Sequence, residues 1–266
     1  MVFESIYSAR SVENKPQKML IISVIMTFIS TFVSYMIYPA YAGIMTPLFV
    51  TIGIAPLIIK VFQLEEETDR LYAEHRINET FWQRHGEVIW VFTMFFIGSF
   101  ISYFIFAAFF SEGFVSTVFA PQINEITAIH SMAATGSHVT SYILEAIVLN
   151  NLKVMTTSFI LSLIFGSGAL FILNWNASVL AVYLGNFVRQ SQFSEFISTS
   201  IGIIPHAPVE ISAYFFAGIA GGMLSAGLIR EHIKSKEFAI VFRDALLMLG
   251  LGIAFVIAGA FIEVYL

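Results

Sequence analysis

His206 and Glu210 lie four residues apart and are the pair of side chains best placed to do chemistry together. Residues at this spacing share one face of an α-helix, so the imidazole and the carboxyl group meet the same neighbours. Such a pair can transfer protons, or it can hold a zinc ion that keeps one position open for water. The alternative is an interhelical hydrogen bond that fixes the fold, which polar groups commonly form between membrane helices.

Three further side chains are candidate ligands for the same metal ion. On a helix with 100° per residue, His130, His138 and Glu145 fall within an arc of about 80°. Together with His206 and Glu210 they supply the imidazoles and the carboxylate that are typical of a catalytic zinc site. Their spacing matches no established metal motif, so zinc is a hypothesis from ligand chemistry alone.

These polar groups stand in a chain dominated by apolar residues. Of 266 residues 12 % are charged and 58 % are hydrophobic, with 28 Phe and no Cys. Soluble domains carry about twice this fraction of charge. The net charge of −5 argues against nucleic-acid binding, which requires basic patches. The composition therefore excludes a soluble globular enzyme, a disordered chain and a nucleic-acid binder, and it predicts a protein embedded in the lipid bilayer.

Stretches without charge are long enough to span a bilayer, which takes about 20 residues per helix. They predict an all-α, polytopic transmembrane helical bundle with about seven crossings. The predicted helices are Met19–Tyr38, Ala42–Phe62, Val88–Phe110, Leu152–Leu173, the short Ala177–Val188, Pro205–Arg230 and Asp244–Tyr265. In the alternative topology, six crossings include residues 123–149, and residues 177–204 form a re-entrant element.

The basic residues predict how the bundle is oriented. Positive charge favours the cytosolic side, and a cytoplasmic N-terminus places 11 of the 13 Lys and Arg residues there. The alternative topology places 12 there, so this count does not separate the two. Residues 63–87 are predicted to be a helical cytosolic excursion, with His85 solvated. Its acidic run, Glu65–Asp69, is interpreted as a solvated helix face or as a docking surface for a protein partner.

Five features follow one another in the C-terminal half of the chain. They are Asn150-Asn151, Asn174-Trp175 with Gly185 downstream, Pro205-His206-Ala207-Pro208-Val209-Glu210, the stretch with Gly218, Gly221 and Gly222, and Glu263 near the end. With these features, residues 123–266 resemble the stage II sporulation protein M (SpoIIM) family of integral membrane proteins. Ala207 and Trp175 stand where the family has glycine, which weakens any role that depends on close backbone approach there.

The resemblance divides the chain into an N-terminal membrane region, residues 1–122, and a SpoIIM-like membrane core, residues 123–266. The core begins with an amphipathic segment at 123–151, which crosses the membrane or lies at its interface. The seven-crossing topology places a set of polar residues near the outer face: Asn150, Asn151, Lys153, His206, Glu210 and Glu263. Asn174 is interpreted as a helix cap, and the three glycines at 218, 221 and 222 as helix-packing positions.

Three functions remain open for this multi-pass protein of the plasma membrane. The family's named member belongs to the machinery that remodels the cell wall during spore engulfment and is understood as a scaffold for wall hydrolases. The resemblance therefore favours a scaffold or assembly partner, with protein partners at the outer face or at residues 63–87, or a homo-oligomer. The first alternative is an intramembrane hydrolase, with or without a metal, acting on lipid or a surface polymer. The second is a transporter or channel, which predicts a mid-membrane cavity and broken helices.

Overall fold

A computed structural model shows the chain as a bundle of α-helices. It describes residues 8–74, 79–135 and 140–265, without the side chains of residues 129–142, and these residues form no strand. A short 3₁₀ turn, Pro39–Tyr41, joins α2 to α3. In chain order the helices are α1 Ala9–Glu13, α2 Gln17–Ile37, α3 Ala42–Ala73, α4 Phe81–Phe109, α5 Glu112–Val118, α6 Ala120–Thr135, α7 Thr140–Phe165, α8 Ala169–Arg189, α9 Phe193–Ile203, α10 Ala207–Arg230 and α11 Lys236–Tyr265.

Seven of these helices are long and apolar enough to cross a membrane: α2, α3, α4, α7, α8, α10 and α11. The predicted all-α membrane bundle is therefore confirmed, with seven helices able to span. Residues 177–204, predicted in the alternative to re-enter the membrane, form the end of α8 and the separate helix α9. Helix α9 exposes Phe193, Ile197 and Ile201 at intervals of four residues, a pattern typical of a helix in the plane of the membrane interface.

Helix α3 is longer than the sequence predicts. Its apolar part ends near Phe62, yet the helix continues to Ala73, and α4 already begins at Phe81. Thr80 starts α4 with a capping box, in which its backbone N–H donates to the Gln83 side chain at 2.8 Å. Residues 63–87 are thus mostly extensions of two spanning helices, and no separate helix lies between them in the described part of the chain.

The break between α7 and α8 lies earlier than the predicted break near Asn174. Helix α7 ends at Phe165, and Gly166 follows with φ of 72°, a left-handed conformation that glycine adopts without steric cost. The hydroxyl group of Ser162 then accepts the backbone N–H of Ala169 at 2.9 Å and so caps the start of α8. The three small residues of the Gly166-Ser167-Gly168 turn, and not the asparagines, reverse the chain.

The prediction that Asn174 caps a helix end is wrong, because this residue is buried in the middle of α8. Its side-chain oxygen accepts a hydrogen bond from the Tyr103 hydroxyl group of α4. Its side-chain N–H donates to the hydroxyl oxygen of Ser99, also on α4, at 2.8 Å. Polar groups in lipid surroundings must be satisfied within the protein, and these two partners satisfy the asparagine.

Helix α10 forms the centre of the bundle. Its apolar stretch is 78 % buried, against 22–50 % for the other six spanning helices. Gly218, Gly221 and Gly222 lie where neighbouring helices approach most closely. A Cβ atom at Gly221 would collide with the backbone carbonyl of Phe159 in α7, and one at Gly222 would collide with the ring of Phe62 in α3. The absence of side chains at these positions allows α3 and α7 to contact α10 directly.

We predict that Gly221→Ala destabilises the protein by about 1–3 kcal/mol, because the added methyl group overpacks the contact with α7. Gly250→Ala is the matched control, since a Cβ atom there meets nothing within 4 Å. That control should be neutral or slightly stabilising, because alanine favours helix over glycine. Thermal unfolding of the two purified variants in detergent measures the difference, and equal melting temperatures would contradict the close packing.

Candidate functional site

Every fully buried Asp, Glu, Arg and His side chain in the described part of the chain lies at one end of the bundle. We name this the charged end. It comprises the end of α3, the start of α4, the end of α10 and the start of α11. The ionic cluster at its centre consists of Glu65, Glu66, Asp69, Arg84, His85 and Asp244, each at most 5 % exposed.

Arg84 holds two carboxylates of the ionic cluster together. Its Nη1 atom contacts the Oδ1 atom of Asp69 on α3, and its Nη2 atom lies 2.6 Å from the Oδ2 atom of Asp244 on α11. The centroid of the Tyr72 ring lies 4.3 Å from the guanidinium carbon, within range of a cation–π contact. The planar guanidinium group suits this two-sided contact. One side chain of α4 therefore ties α3 to α11.

His85 lies among three carboxylates. Its Nδ1 atom is 2.9 Å from the Oε2 atom of Glu65. Its Nε2 atom is 3.3 Å from the Oδ2 atom of Asp244 and 3.8 Å from the Oδ1 atom of Asp69. An ionised carboxylate only accepts hydrogen bonds, so a ring that donates from Nδ1 to Glu65 and from Nε2 to Asp244 is an imidazolium ion.

Two arginines at the rim complete the charge balance. Arg243 lies 2.9 Å from Asp244, and Arg230 lies 2.7 Å from Glu66. Both arginines reach solvent. With them, four carboxylates face four cationic side chains. This balance matters because removing one partner of a buried ion pair leaves an uncompensated charge that costs about 3–5 kcal/mol.

The interpretation of residues 65–69 as a solvated face is wrong for Glu65, Glu66 and Asp69, and the prediction of a solvated His85 is wrong as well. The physical reason is the continuation of α3. Glu65 and Asp69 are four residues apart, so the extended helix turns both towards α4 and α11. Two sequence features could have predicted this burial: the spacing of Glu65 and Asp69, and the adjacent pair Arg84-His85, which supplies matching cations.

The opposite end of the bundle brings together three of the residues selected from the sequence. The Tyr214 hydroxyl group donates to the side-chain oxygen of Asn151 at 2.7 Å. Glu210 of α10 lies beside Asn151 of α7 and Glu263 of α11. A Cβ atom at Gly259 would collide with the Glu210 side chain, so this glycine makes room for the carboxyl group. The three helices therefore pack through a shared polar contact.

The remaining predicted site residues stand apart from this polar contact. His206 precedes α10, where its backbone carbonyl accepts the N–H of Glu210 at 3.1 Å and its side chain is half-buried. Glu145, Asn150 and Lys153 are exposed on α7. The side chain of His130 and the whole of His138 lie outside the described residues, so their predicted role as zinc ligands stays a prediction.

The described side chains contain one group of potential metal ligands, and it differs from the predicted set. One ligand atom each from Asp69, His85 and Asp244 lies within 4.8 Å of the others. Glu145, His206 and Glu210 form no such group among the described residues. Among the described residues, the potential metal ligands therefore lie in the ionic cluster at the charged end, and not around His206 and Glu210.

Two clefts, of about 320 and 400 Å³, lie against α1 at the charged end. The 400 Å³ cleft is lined by α1, α3 and α4, and Arg84 reaches its wall. Neither cleft is lined by His206 or Glu210, where the hydrolase hypothesis predicts a water-accessible pocket. Arg84 of the ionic cluster therefore borders this cleft.

Comparison with known proteins gives one family match, in the C-terminal part of the chain. The model of the family described as Stage II sporulation protein M matches residues 139–266. No curated protein and no solved structure matches the chain. The matched residues include Asp244, whereas Glu65, Asp69, Arg84 and His85 lie in the unmatched half. The ionic cluster therefore joins the part of the chain that the family model covers to the part that it does not.

We predict that Asp69→Asn destabilises the protein by about 3–5 kcal/mol, because Arg84 then loses one of its two buried carboxylates. Glu67→Gln is the matched control, since Glu67 pairs with Arg70 at 3.9 Å on the exposed side of the same helix. An exposed pair of this kind contributes about 0–1 kcal/mol. Denaturation in detergent compares the two variants, and an equally small effect of both would contradict a stabilising cluster.

We also predict a pH dependence that arises from Glu13 of α1. Burial and the nearby carboxylates of Glu65 and Glu87 raise the pKa of Glu13 to about 7 from the usual 4.5, although Arg10 opposes this. The folded state thus holds a proton that the unfolded state releases, and stability falls as the pH rises from 4.5 to about 7.

Glu13→Gln should remove this dependence. The measurement is the difference in melting temperature between wild type and this variant at pH 5 and at pH 8. We expect wild type to match the variant more closely at pH 5 and to be less stable than it at pH 8. A difference that does not change with pH would contradict the raised pKa of the half-buried Glu13.

Proposed function

We propose that this chain, whose C-terminal half belongs to the stage II sporulation protein M family, is a polytopic membrane scaffold or assembly partner. The observation that carries the proposal is the use of polar groups in packing. Tyr103, Asn174 and Ser99 bond to one another inside the bundle. The charges of the ionic cluster likewise pair across α3, α4 and α11. Such a bundle holds its surfaces in fixed positions, as a docking platform requires.

Tight packing of the central helix supports the same proposal. Helix α10 contacts α3 and α7 through glycine, so these helices cannot separate without breaking a continuous core. Transport by alternating access requires parts of a bundle to rock against each other. The continuous helices and the ionic ties between α3, α4 and α11 oppose that motion. We therefore favour fixed assembly over transport.

We further propose that the charged end faces the cytosol and that the protein resides in the plasma membrane. The orientation follows from the basic residues, which favour the cytosolic side of membrane helices. It leaves α5, α6 and α9 on the outer side, in keeping with partners that act on the cell surface. Protein partners, or further copies of this chain, would dock on the outer helices or on the exposed face of α3 around Glu67.

Site-specific photo-crosslinking in native membranes tests the scaffold proposal. The crosslinking residue replaces Glu67 at the charged end or Ser194 on α9, both of which reach solvent. Ile257 is the matched control, because it lies exposed in the apolar part of α11 and should face lipid. We expect a discrete protein adduct from at least one of the two polar positions and none from Ile257.

Two results would contradict the proposal. One is that neither polar position gives a protein adduct. The other is that the pure protein in liposomes hydrolyses lipid or surface polymer, or conducts solute, and loses that activity in His206→Ala or Glu210→Gln while it remains folded. The first result would mean that no protein partner contacts these positions. The second would assign catalysis or transport to His206 and Glu210.

A further inference from the structure

We propose that Asp69, His85 and Asp244 bind one Zn²⁺ ion or a similar divalent first-row metal ion. Glu65 orients the histidine for metal binding. The site lies at the charged end, where α3, α4 and α11 meet. It shares no ligand with the zinc site that the sequence suggests around His206. It also does not depend on the scaffold role, since a metal ion here would act on the bundle itself.

The spacing of the three ligand atoms favours a metal ion. The Nε2 atom of His85 lies 3.3 Å from Asp244 Oδ2 and 3.8 Å from Asp69 Oδ1. These distances exceed the roughly 2.9 Å of a good N–H···O hydrogen bond. Zinc bonds of about 2.0–2.1 Å in tetrahedral geometry place neighbouring ligand atoms about 3.3–3.5 Å apart. The 3.3 Å separation of His85 from Asp244 matches this spacing, and all three ligand atoms lie within 4.8 Å of one another. A small movement of Asp69 would bring the imidazole and the two carboxylates around one ion.

Glu65 supplies a second, independent feature of a metal site. Its Oε2 atom lies 2.9 Å from the Nδ1 atom of His85. Histidines that bind metals commonly donate the N–H of the other ring nitrogen to a carboxylate, which fixes the tautomer and the direction of the coordinating lone pair. Here that contact directs Nε2 towards Asp69 and Asp244. Glu65 is a positioning residue in this arrangement and not a ligand.

Unpartnered oxygen atoms are the third observation. The Oε1 atom of Glu65 and the Oδ2 atom of Asp69 are buried without a hydrogen-bond partner among the described residues. Both side chains are at most 1 % exposed. Buried carboxylate oxygens without a donor are costly, so a metal ion that bonds to them would remove this cost. The Oδ2 atom of Asp69 can serve as an additional ligand to the same ion.

Arg84 is compatible with the ion because each carboxylate oxygen accepts two contacts. The guanidinium group occupies one position on Asp69 Oδ1 and one on Asp244 Oδ2, which leaves the other position on each oxygen. The metal would displace the proton from Nε2 of His85, so metal binding releases this proton. Mixed imidazole and carboxylate ligands suit zinc and its first-row neighbours, whereas magnesium and calcium prefer oxygen ligands alone.

Metal titration of the full-length, tag-free protein in detergent tests the site. After treatment with a chelator, the protein is dialysed against Zn²⁺ and its metal content is measured, and Co²⁺ is used in parallel as a spectroscopic probe. We expect one equivalent of bound metal and the visible absorption of tetrahedral Co²⁺. Both signals should disappear in His85→Gln and persist in His232→Gln, whose imidazole is exposed outside the cluster.

Glu65→Gln separates a metal site from a merely structural cluster, because it keeps all three ligands and changes only the group that orients His85. We expect its affinity for Zn²⁺ to fall about 10–100-fold. The proposal is overturned if wild type binds no stoichiometric metal, or if the Co²⁺ spectrum persists in His85→Gln. If His85→Gln does not fold, an unchanged affinity of Glu65→Gln has the same consequence.

Discussion

A charged side chain inside a membrane protein must meet an opposite charge at contact distance, and the charged end of this bundle is built around that constraint. Arg84 contacts carboxylates on two other helices, which requires α3, α4 and α11 to converge at one point. Helix α3 must also continue past its apolar part to bring Asp69 to this point. Helix α3 also makes a close contact with α10 at Gly222, so the same helix takes part in the ionic cluster and in the packed centre of the bundle.

The ionic cluster also explains how the two halves of the chain form one structure. The half matched by the family model contributes α7 to α11, yet only one of the six buried residues of the cluster, Asp244, comes from it. The other half contributes Arg84 and His85, and its Phe62 and Phe92 pack in one core with Phe215 of α10. A division of the chain near residue 122 therefore separates two sequence regions that share a single core.

Much of the fold was predictable because a bilayer imposes a simple rule on sequence. Charge-free stretches of sufficient length predict spanning helices, and Pro205 and Pro208 mark the start of α10. The ends of α3 and α7 were mispredicted because polar residues were taken as breaks. Whether a polar residue ends a helix or continues it inside the protein depends on partners far away in sequence, such as Tyr103 for Asn174, 71 residues apart. Local spacing carries no information on those partners.

The same limit applied to the candidate site. The spacing of Glu65 and Asp69 and the pair Arg84-His85 were visible in the sequence, but not that they pair with each other and with Asp244. The central claim, that Arg84 physically joins α4 to α11, is tested most directly by a double-mutant cycle between Arg84→Leu and Asp244→Leu. We predict a coupling energy of about 2 kcal/mol or more in the free energy of unfolding, near the upper part of the range for residues in contact. Effects that add to within about 0.5 kcal/mol would contradict it.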